Sequence, residues 1–262
     1  MQIDLKNKNA LVCGSTQGIG KASALVLAQC GANVTLVARN EQRLMQVKNE
    51  LPNSNGQTHQ FLVADFQNPD TLAKTVHNQL DSSTAFHILV NNTGGPPGGD
   101  IFEASLDEFE NAFTQHLKCN HLLAQAVVPG MKAAGFGRII NVISTSVKQP
   151  LDGLGVSNTI RGAVASWSKT LANELGSFGI TVNNVLPGAT ATERLRSIVA
   201  NKAEKTGKSI DTVSEAMKNS IPAKRFAEPR EVATAIAFLA SDLASYINGI
   251  NLPVDGGRTK SL

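Results

Sequence analysis

A chain of 262 residues that is 42% apolar can bury one large core, so a single domain over 1–262 is expected and a second is not required. A formal net charge of +3 without a long single-sign run argues against nucleic acid or membrane as partner, and no stretch approaches the ~18 apolar residues of a membrane span. The start, Met1-Gln2-Ile3-Asp4-Leu5-Lys6-Asn7-Lys8, lacks the apolar core of a signal peptide, and Cys13, Cys30 and Cys119 lack the spacing of a metal site, which suits reduced thiols of a cytoplasmic protein.

Helical and extended segments alternate throughout, which predicts an α/β fold with a mostly parallel sheet and helices on both faces. Ala10-Leu11-Val12-Cys13 reads as a buried strand, Gly14-Ser15-Thr16-Gln17-Gly18-Ile19-Gly20 as a tight turn, and the run to Gly31 as a helix. Asn33 to Ala38 is a second strand, followed by a charged helix from about Glu41 to Leu51. His59 to Ala64 is a third strand, Pro69 to Leu80 a helix, and Phe86 to Val90 a fourth strand. It runs into Asn91-Asn92-Thr93-Gly94-Gly95-Pro96-Pro97-Gly98-Gly99, which must be a loop.

Ser105-Leu106-Asp107-Glu108 has capping-box form and opens a helical region that reaches Ala134 with a break. Ile139 to Ile143 is a fifth strand, Ser157 to Leu175 a long helix closed by Gly176, and Ile180 to Val185 a sixth strand ended by Pro187-Gly188. The stretch 189–220 is polar, helical in pattern and weakly apolar, and is expected to be a flexible substrate flap. Pro229 starts a helix to about Ala240, and Ile250 to Val254 is a final strand before Asp255-Gly256-Gly257.

Ligands of such sheets bind outside the carboxyl ends of the strands, on a rim formed by Gly14 to Gly20, Arg39, Asp65, Asn91 to Gly95, Ser144 to Val147 and Pro187 to Thr192. The glycines allow a sharp turn and close approach of a ligand, and the exposed amides of the following helix favour a phosphate. Their spacing, Gly-x-x-x-Gly-x-Gly, departs from Gly-x-Gly-x-x-Gly, and alone it is equally an ordinary strand-to-helix turn. Arg39 stands nineteen residues after Gly20, where an acid would bind a free ribose 2′-hydroxyl. Its planar cation suits a 2′-phosphate instead, which favours NADP(H) over NAD(H), unless it is a solvated strand end.

In this order and spacing, Ala10 to Gly20, Asp65, Asn91-Asn92-Thr93-Gly94, Pro187-Gly188 with Thr192, and Asp255-Gly256-Gly257 resemble the short-chain dehydrogenase/reductase family. The chain is most similar to the 3-oxoacyl-(acyl carrier protein) reductases, in a branch with Asn-Asn-Thr-Gly-Gly-Pro-Pro after the fourth strand. The resemblance implies a Rossmann-like doubly wound sheet of about seven parallel strands. It also implies homodimers or homotetramers built through two long helices, here about Leu117 to Ala134 and Ser157 to Leu175. By the same likeness Gly14, Ser15, Gln17, Gly18, Ile19 and Gly20 cradle the dinucleotide, Asp65 and Phe66 flank the adenine, and Asn92, Thr93 and Gly94 line its ribose. Pro187, Gly188, Thr190 and Thr192 cover the nicotinamide and its phosphate. Asp65 is also read as a helix cap, and Asn91 and Asn92 as loop structure.

Members of the family reduce carbonyls with a tyrosine as proton donor, a lysine four residues later, an orienting serine and a helical asparagine. Aligned on Lys169-Thr170-Leu171-Ala172, this chain has Ser157 at the tyrosine position, Arg161 at the lysine position, Ser144 at the serine position and His116 at the asparagine position. Only Ser144 matches. The sole tyrosine, Tyr246, lies far from the site in this topology. Ser157 is a poor acid, and Arg161 binds a ribose or oxyanion without relaying a proton. His116 has the side-chain type for an acid near neutrality, although a helical histidine is commonly structural, and Lys148 is an outside candidate. The flap holds six basic residues (Arg194, Arg196, Lys202, Lys205, Lys208, Lys218) against four acids (Glu193, Glu204, Asp211, Glu215), which would favour an acidic carrier or phosphate unless it is simply a solvated face. The resemblance thus implies an oxidoreductase acting on a small-molecule carbonyl or acyl thioester with a degenerate tetrad. The alternatives are a nucleotide-binding protein without chemistry and a dehydratase- or isomerase-like enzyme.

Overall fold

Successive side chains of a strand point to opposite faces of a sheet, and both faces here are apolar. In the computed structural model, which describes residues 2–81 and 85–261, Ala10 and Val12 of β1 (Asn9–Cys13) enter one core cluster, whereas Leu11 and Cys13 enter another. The same division separates Val34, Leu36 and Ala38 from Val37 in β2 (Asn33–Ala38). Met1 and Leu262, the ends of the expected 1–262 domain, lie outside the described residues.

With β3 (Gln60–Val63), β4 (Ile88–Asn91), β5 (Gly137–Val142), β6 (Ile180–Pro187) and β7 (Asn251–Val254), these strands form a seven-stranded parallel sheet. Their order is β3-β2-β1-β4-β5-β6-β7. The chain builds outward from β1 to β3, then crosses back to lay β4 on the other side of β1. That reversal opens the crevice in which doubly wound sheets hold ligands. Asparagines brace the next strands at one level: Asn91 donates to Asn141 at 2.8 Å, Asn141 to Asn184 at 3.0 Å and Asn184 to Asn251 at 2.8 Å.

The helices are α1 (Gly18–Gln29), α2 (Glu41–Glu50), α3 (Pro69–Asp81), α4 (Leu106–Phe113), α5 (Cys119–Ala134), α6 (Gly155–Leu175), α7 (Glu193–Thr206), α8 (Ile210–Asn219) and α9 (Pro229–Ala240). Ala24, Leu27 and Ala28 of α1 and Val232, Ile236 and Ala240 of α9 cover one face. Leu72 and Val76 of α3, Leu123, Val127 and Met131 of α5 and Ala172 and Leu175 of α6 cover the other. The expected break before α5 is a π turn, Thr114–Lys118, which widens the helix by one residue.

As expected, α6 ends at Leu175 with Gly176 as its C-cap; the chain then continues through a 3-10 turn, Gly176–Phe178, and turns at Gly179, whose φ of 72° suits a residue without Cβ. The stretch 189–220 is helical, as its pattern predicts. It folds as α7 and α8, each capped by a hydroxyl (Thr192 and Ser209), over a small apolar cluster of Leu195, Val199, Ala203 and Val213. The low apolar content of the stretch reflects a core of only one helical stripe.

Candidate active site

The rim starts at the turn after β1. Gly14 and Gly18 have φ of +57° and +54°, and a Cβ on Gly14 or Gly20 would drive into the backbone of Asn92 or of Gly14 itself. Asn92 fixes the turn by donating Nδ2 to the carbonyls of Cys13 and Gly14, both at 3.3 Å. This is its loop-structure role. Behind the turn, α1 begins at Gln17 with no side-chain cap and no acid in its first turn, whereas α2, α4, α7 and α8 are all capped by side chains. Its amide donors therefore remain available for an anion. A cleft of about 310 Å³ opens there, lined by Gln17, Gly18, Lys21, Thr192, Arg196 and Pro229 among others.

Arg39 follows β2 with its side chain 70% exposed, 3.9 Å from Asp65. Arg43, which the sequence reading passed over, reaches Gln17 from the first turn of α2 at 3.5 Å. Its signal was its place one turn after the Asn40 cap, on the same rim. Asp65 accepts from the Gln67 amide at 3.0 Å, and the cap of α3 is Asn68. Phe66 is 8% exposed and packed in the core, and its carbonyl accepts from Cys119, so only backbone is left there for a base.

At the other end of the rim, Gly188 sits so close to Asp255 that a Cβ would lie 2.7 Å from its Cα. Thr190 is buried, and Thr192 caps α7 while donating to the Thr190 carbonyl. Pro187 is the last residue of β6. Ser144 follows β5 and accepts from the Ser146 amide at 3.1 Å. Helix α6, which carries Ser157 and Arg161, packs both on the turn after Ser144 and on the π turn that holds His116. Tyr246, fully exposed, precedes the edge strand β7 and so lies at its amino end, away from the rim at the carboxyl ends of the strands.

Arg161 is 6% exposed and donates Nη1 to the Val142 carbonyl at 3.2 Å. Burial, with a contribution from Arg194, lowers its pKa to about 10, so it stays a cation at neutral pH. His116 is 1% exposed, shares a 2.5 Å hydrogen bond between Nδ1 and Thr93 Oγ1, and has no partner for Nε2. Burial first, then Arg161 and Arg194, push it down to about 2. The imidazole is therefore neutral across physiological pH and is no standing acid, contrary to its ordinary range. Arg194, counted in the sequence only as a flap charge, bridges α7 to the loop after β4 by donating to the carbonyls of Gly95 at 3.0 Å and Pro96 at 2.7 Å. No group of metal-ligating side chains is found among the described residues, and no helix among them is long and apolar enough to cross a membrane.

Residues 14–259 match the family described as enoyl-(acyl carrier protein) reductase. The chain is 33% identical over 257 residues to a 3-oxoacyl-[acyl-carrier-protein] reductase of Vibrio harveyi, spanning 97% of this chain and 98% of that one. It is 30% identical over 261 residues to an NADPH-dependent reductase of Bacillus subtilis (strain 168), spanning 98% and 100%. Among solved structures, L-sorbose reductase from Gluconobacter frateurii, complexed with NADPH and L-sorbose, superposes with a TM-score of 0.93 at 32% identity, covering 100% of both chains.

Proposed function

The chain belongs to the short-chain dehydrogenase/reductase family of oxidoreductases, and on that premise we propose that it is a cytoplasmic NADPH-dependent reductase of small carbonyl compounds whose tyrosine and lysine positions are taken by Ser157 and Arg161. The observation that carries the reading is the uncapped start of α1 behind Gly14 and Gly18, with Arg39 and Arg43 beyond it. Similarity to NADPH-dependent reductases supports the same cofactor. Three unpaired thiols suit a reducing compartment.

Residues Gly14 to Gly20 would hold the diphosphate, Arg39 and Arg43 the 2′-phosphate, Asp65 and the backbone of Phe66 the adenine, and Asn92, Thr93 and Gly94 its ribose. Pro187, Gly188, Thr190 and Thr192 would hold the nicotinamide end. When bound, this group supplies the hydride for the carbonyl carbon. Ser144 orients the carbonyl, and Arg161 steadies the negative charge that develops on its oxygen. The proton comes through His116 without a charged imidazolium: Nε2 gives its hydrogen to the oxygen while Nδ1 takes the hydroxyl hydrogen of Thr93, which solvent replaces. Supporting this is the Thr93–His116 bond together with the unpartnered Nε2. Assembly as a homodimer or homotetramer through α5 and α6 is part of the proposal.

Fluorescence titration with NADPH and NADH, then a panel of ketones, aldehydes and 3-oxoacyl thioesters followed by NADPH absorbance, tests it. Tight NADPH binding without turnover across the panel would favour a second reading, a nucleotide-binding protein without chemistry. The neutrality of His116 is the observation that keeps that reading in play.

A further inference from the structure

Two arginines are buried in this fold, and they are treated differently. Arg138, 3% exposed, donates to the carbonyls of Ser241, Gly137 and Gly179 and lies 3.6 Å from Asp242, so its charge is matched. Arg161, 6% exposed, has a single hydrogen bond to a single carbonyl, and no carboxylate pairs with it among the described residues. A guanidinium carries five N–H donors, and burying a cation without a counter-ion is unfavourable. Arg194 and His116 are its electrostatic neighbours, and neither carries a negative charge. The acid next to Arg194, Glu193, is turned to Arg196 and exposed. Unlike the rest of the rim, where Asp65 answers Arg39 and Glu50 answers Lys21, this corner holds cations and an orphaned imidazole nitrogen alone.

We infer that the carbonyl substrate carries an oxyanionic group, a carboxylate or a phosphate, that pairs with the buried Arg161 and with Arg194 beside it. This deepens the reductase reading and rests on it. The planar fork of arginine matches either group with paired hydrogen bonds, and the ligand supplies the counter-ion that the fold omits. A 3-oxoacyl thioester, uncharged near its carbonyl, leaves Arg161 unmatched, so a small oxo acid or sugar phosphate is preferred over an acyl carrier substrate. The cofactor's own phosphates have separate sites in the amides of α1 and in Arg39 and Arg43.

Oxalate and inorganic phosphate are titrated into cofactor-free and NADPH-loaded protein, with heat of binding and thermal shift as readouts. At least one of the two binds the wild type, and which one separates a carboxylate from a phosphate ligand. Arg161→Gln and Arg194→Gln each weaken it about 10- to 100-fold, the range for hydrogen bonds to a charged group. Arg161→Lys, which keeps the buried charge, retains binding and guards against misfolding of the glutamine variant. Absence of binding to both forms of the wild type, or affinity unchanged in both glutamine variants, overturns the inference. NADPH affinity, measured on the same samples, reports on the reductase reading separately. Loss of NADPH binding with oxyanion binding intact strikes the cofactor assignment and leaves the oxyanion pocket standing.

Discussion

Thr93 and His116 come from different elements, the loop after β4 and the π turn before α5, and are joined by a 2.5 Å hydrogen bond between Oγ1 and Nδ1. The bond fixes the imidazole and leaves Nε2 as its one free nitrogen. Replacing His116 by Ala or Thr93 by Val breaks the same relay, so each lowers kcat by about 10²- to 10⁴-fold, and the double variant falls no further than the worse single one. Steady-state kinetics on the substrate found in the panel decides it; additive losses would place the two residues in separate roles.

Because His116 is held near pKa 2 in the folded protein and titrates near 6.5 when unfolded, the unfolded chain binds the extra proton between those values. Stability is therefore complete above about pH 6.5 and falls as the pH drops below it, by up to about 1.4 kcal/mol per pH unit from this group. His116→Gln flattens that slope in a pH series of melting temperatures. The pH dependence of kcat in the wild type shows no histidine inflection between pH 5 and 8 from this residue.

Arg39→Asp exchanges a cation for an acceptor at the end of β2, where the side chain is largely exposed. NADPH binding weakens about 10- to 100-fold and NADH binding improves, so the preference moves toward NADH. Arg43→Ala moves it in the same direction by less, since Arg43 reaches the rim only through a long contact with Gln17. Fluorescence titration with both cofactors measures this.

Arg194→Ala removes the two bonds that tie α7 to the carbonyls of Gly95 and Pro96. Backbone hydrogen exchange in α7 and α8 speeds up while the β4 to β6 core is unchanged, because the two helices otherwise rest on their own small cluster. Equal protection in wild type and variant would show that packing, not this tie, holds α7 and α8 in place.

Gly20→Ala tests the turn. The added Cβ meets the Gly14 carbonyl and sits 2.7 Å from Asn92 Nδ2, so backbone must move, and stability falls by about 1–3 kcal/mol together with NADPH affinity. Gly99→Ala, with nothing near its Cβ and no part in the cofactor site, is the control for the loop after β4.

Most of the sheet was legible because its strands are short apolar runs set between glycines and polar helices, and the rim followed from where those runs end. Asn40, Ser105 and Thr192 mark helix starts in their own letters. What the sequence hid depends on distance in space rather than along the chain. The buried state of Arg161 comes from the packing of α6 on β6, and the depressed pKa of His116 comes first from burial and then from two arginines 45 and 78 residues away. The resemblance places Phe66 beside Asp65 at the adenine, whereas its side chain is packed into the core, an outcome set by the tertiary contacts of the turn after β3. Arg194 looked like one more flap charge because its partners are backbone carbonyls, which leave no trace in residue type.

The π turn at Thr114–Lys118 also governs which changes in chain length the protein tolerates. The wide turn absorbs one residue, so removing one there would restore a regular helix and leave Leu123, Val127 and Met131 on the sheet, whereas a further insertion has no second wide turn to absorb it and would rotate them away. What a single deletion would displace is the turn itself, and His116 with it. The exposed link between α7 and α8 at Gly207-Lys208, in contrast, can lengthen or shorten without moving the core or a site residue.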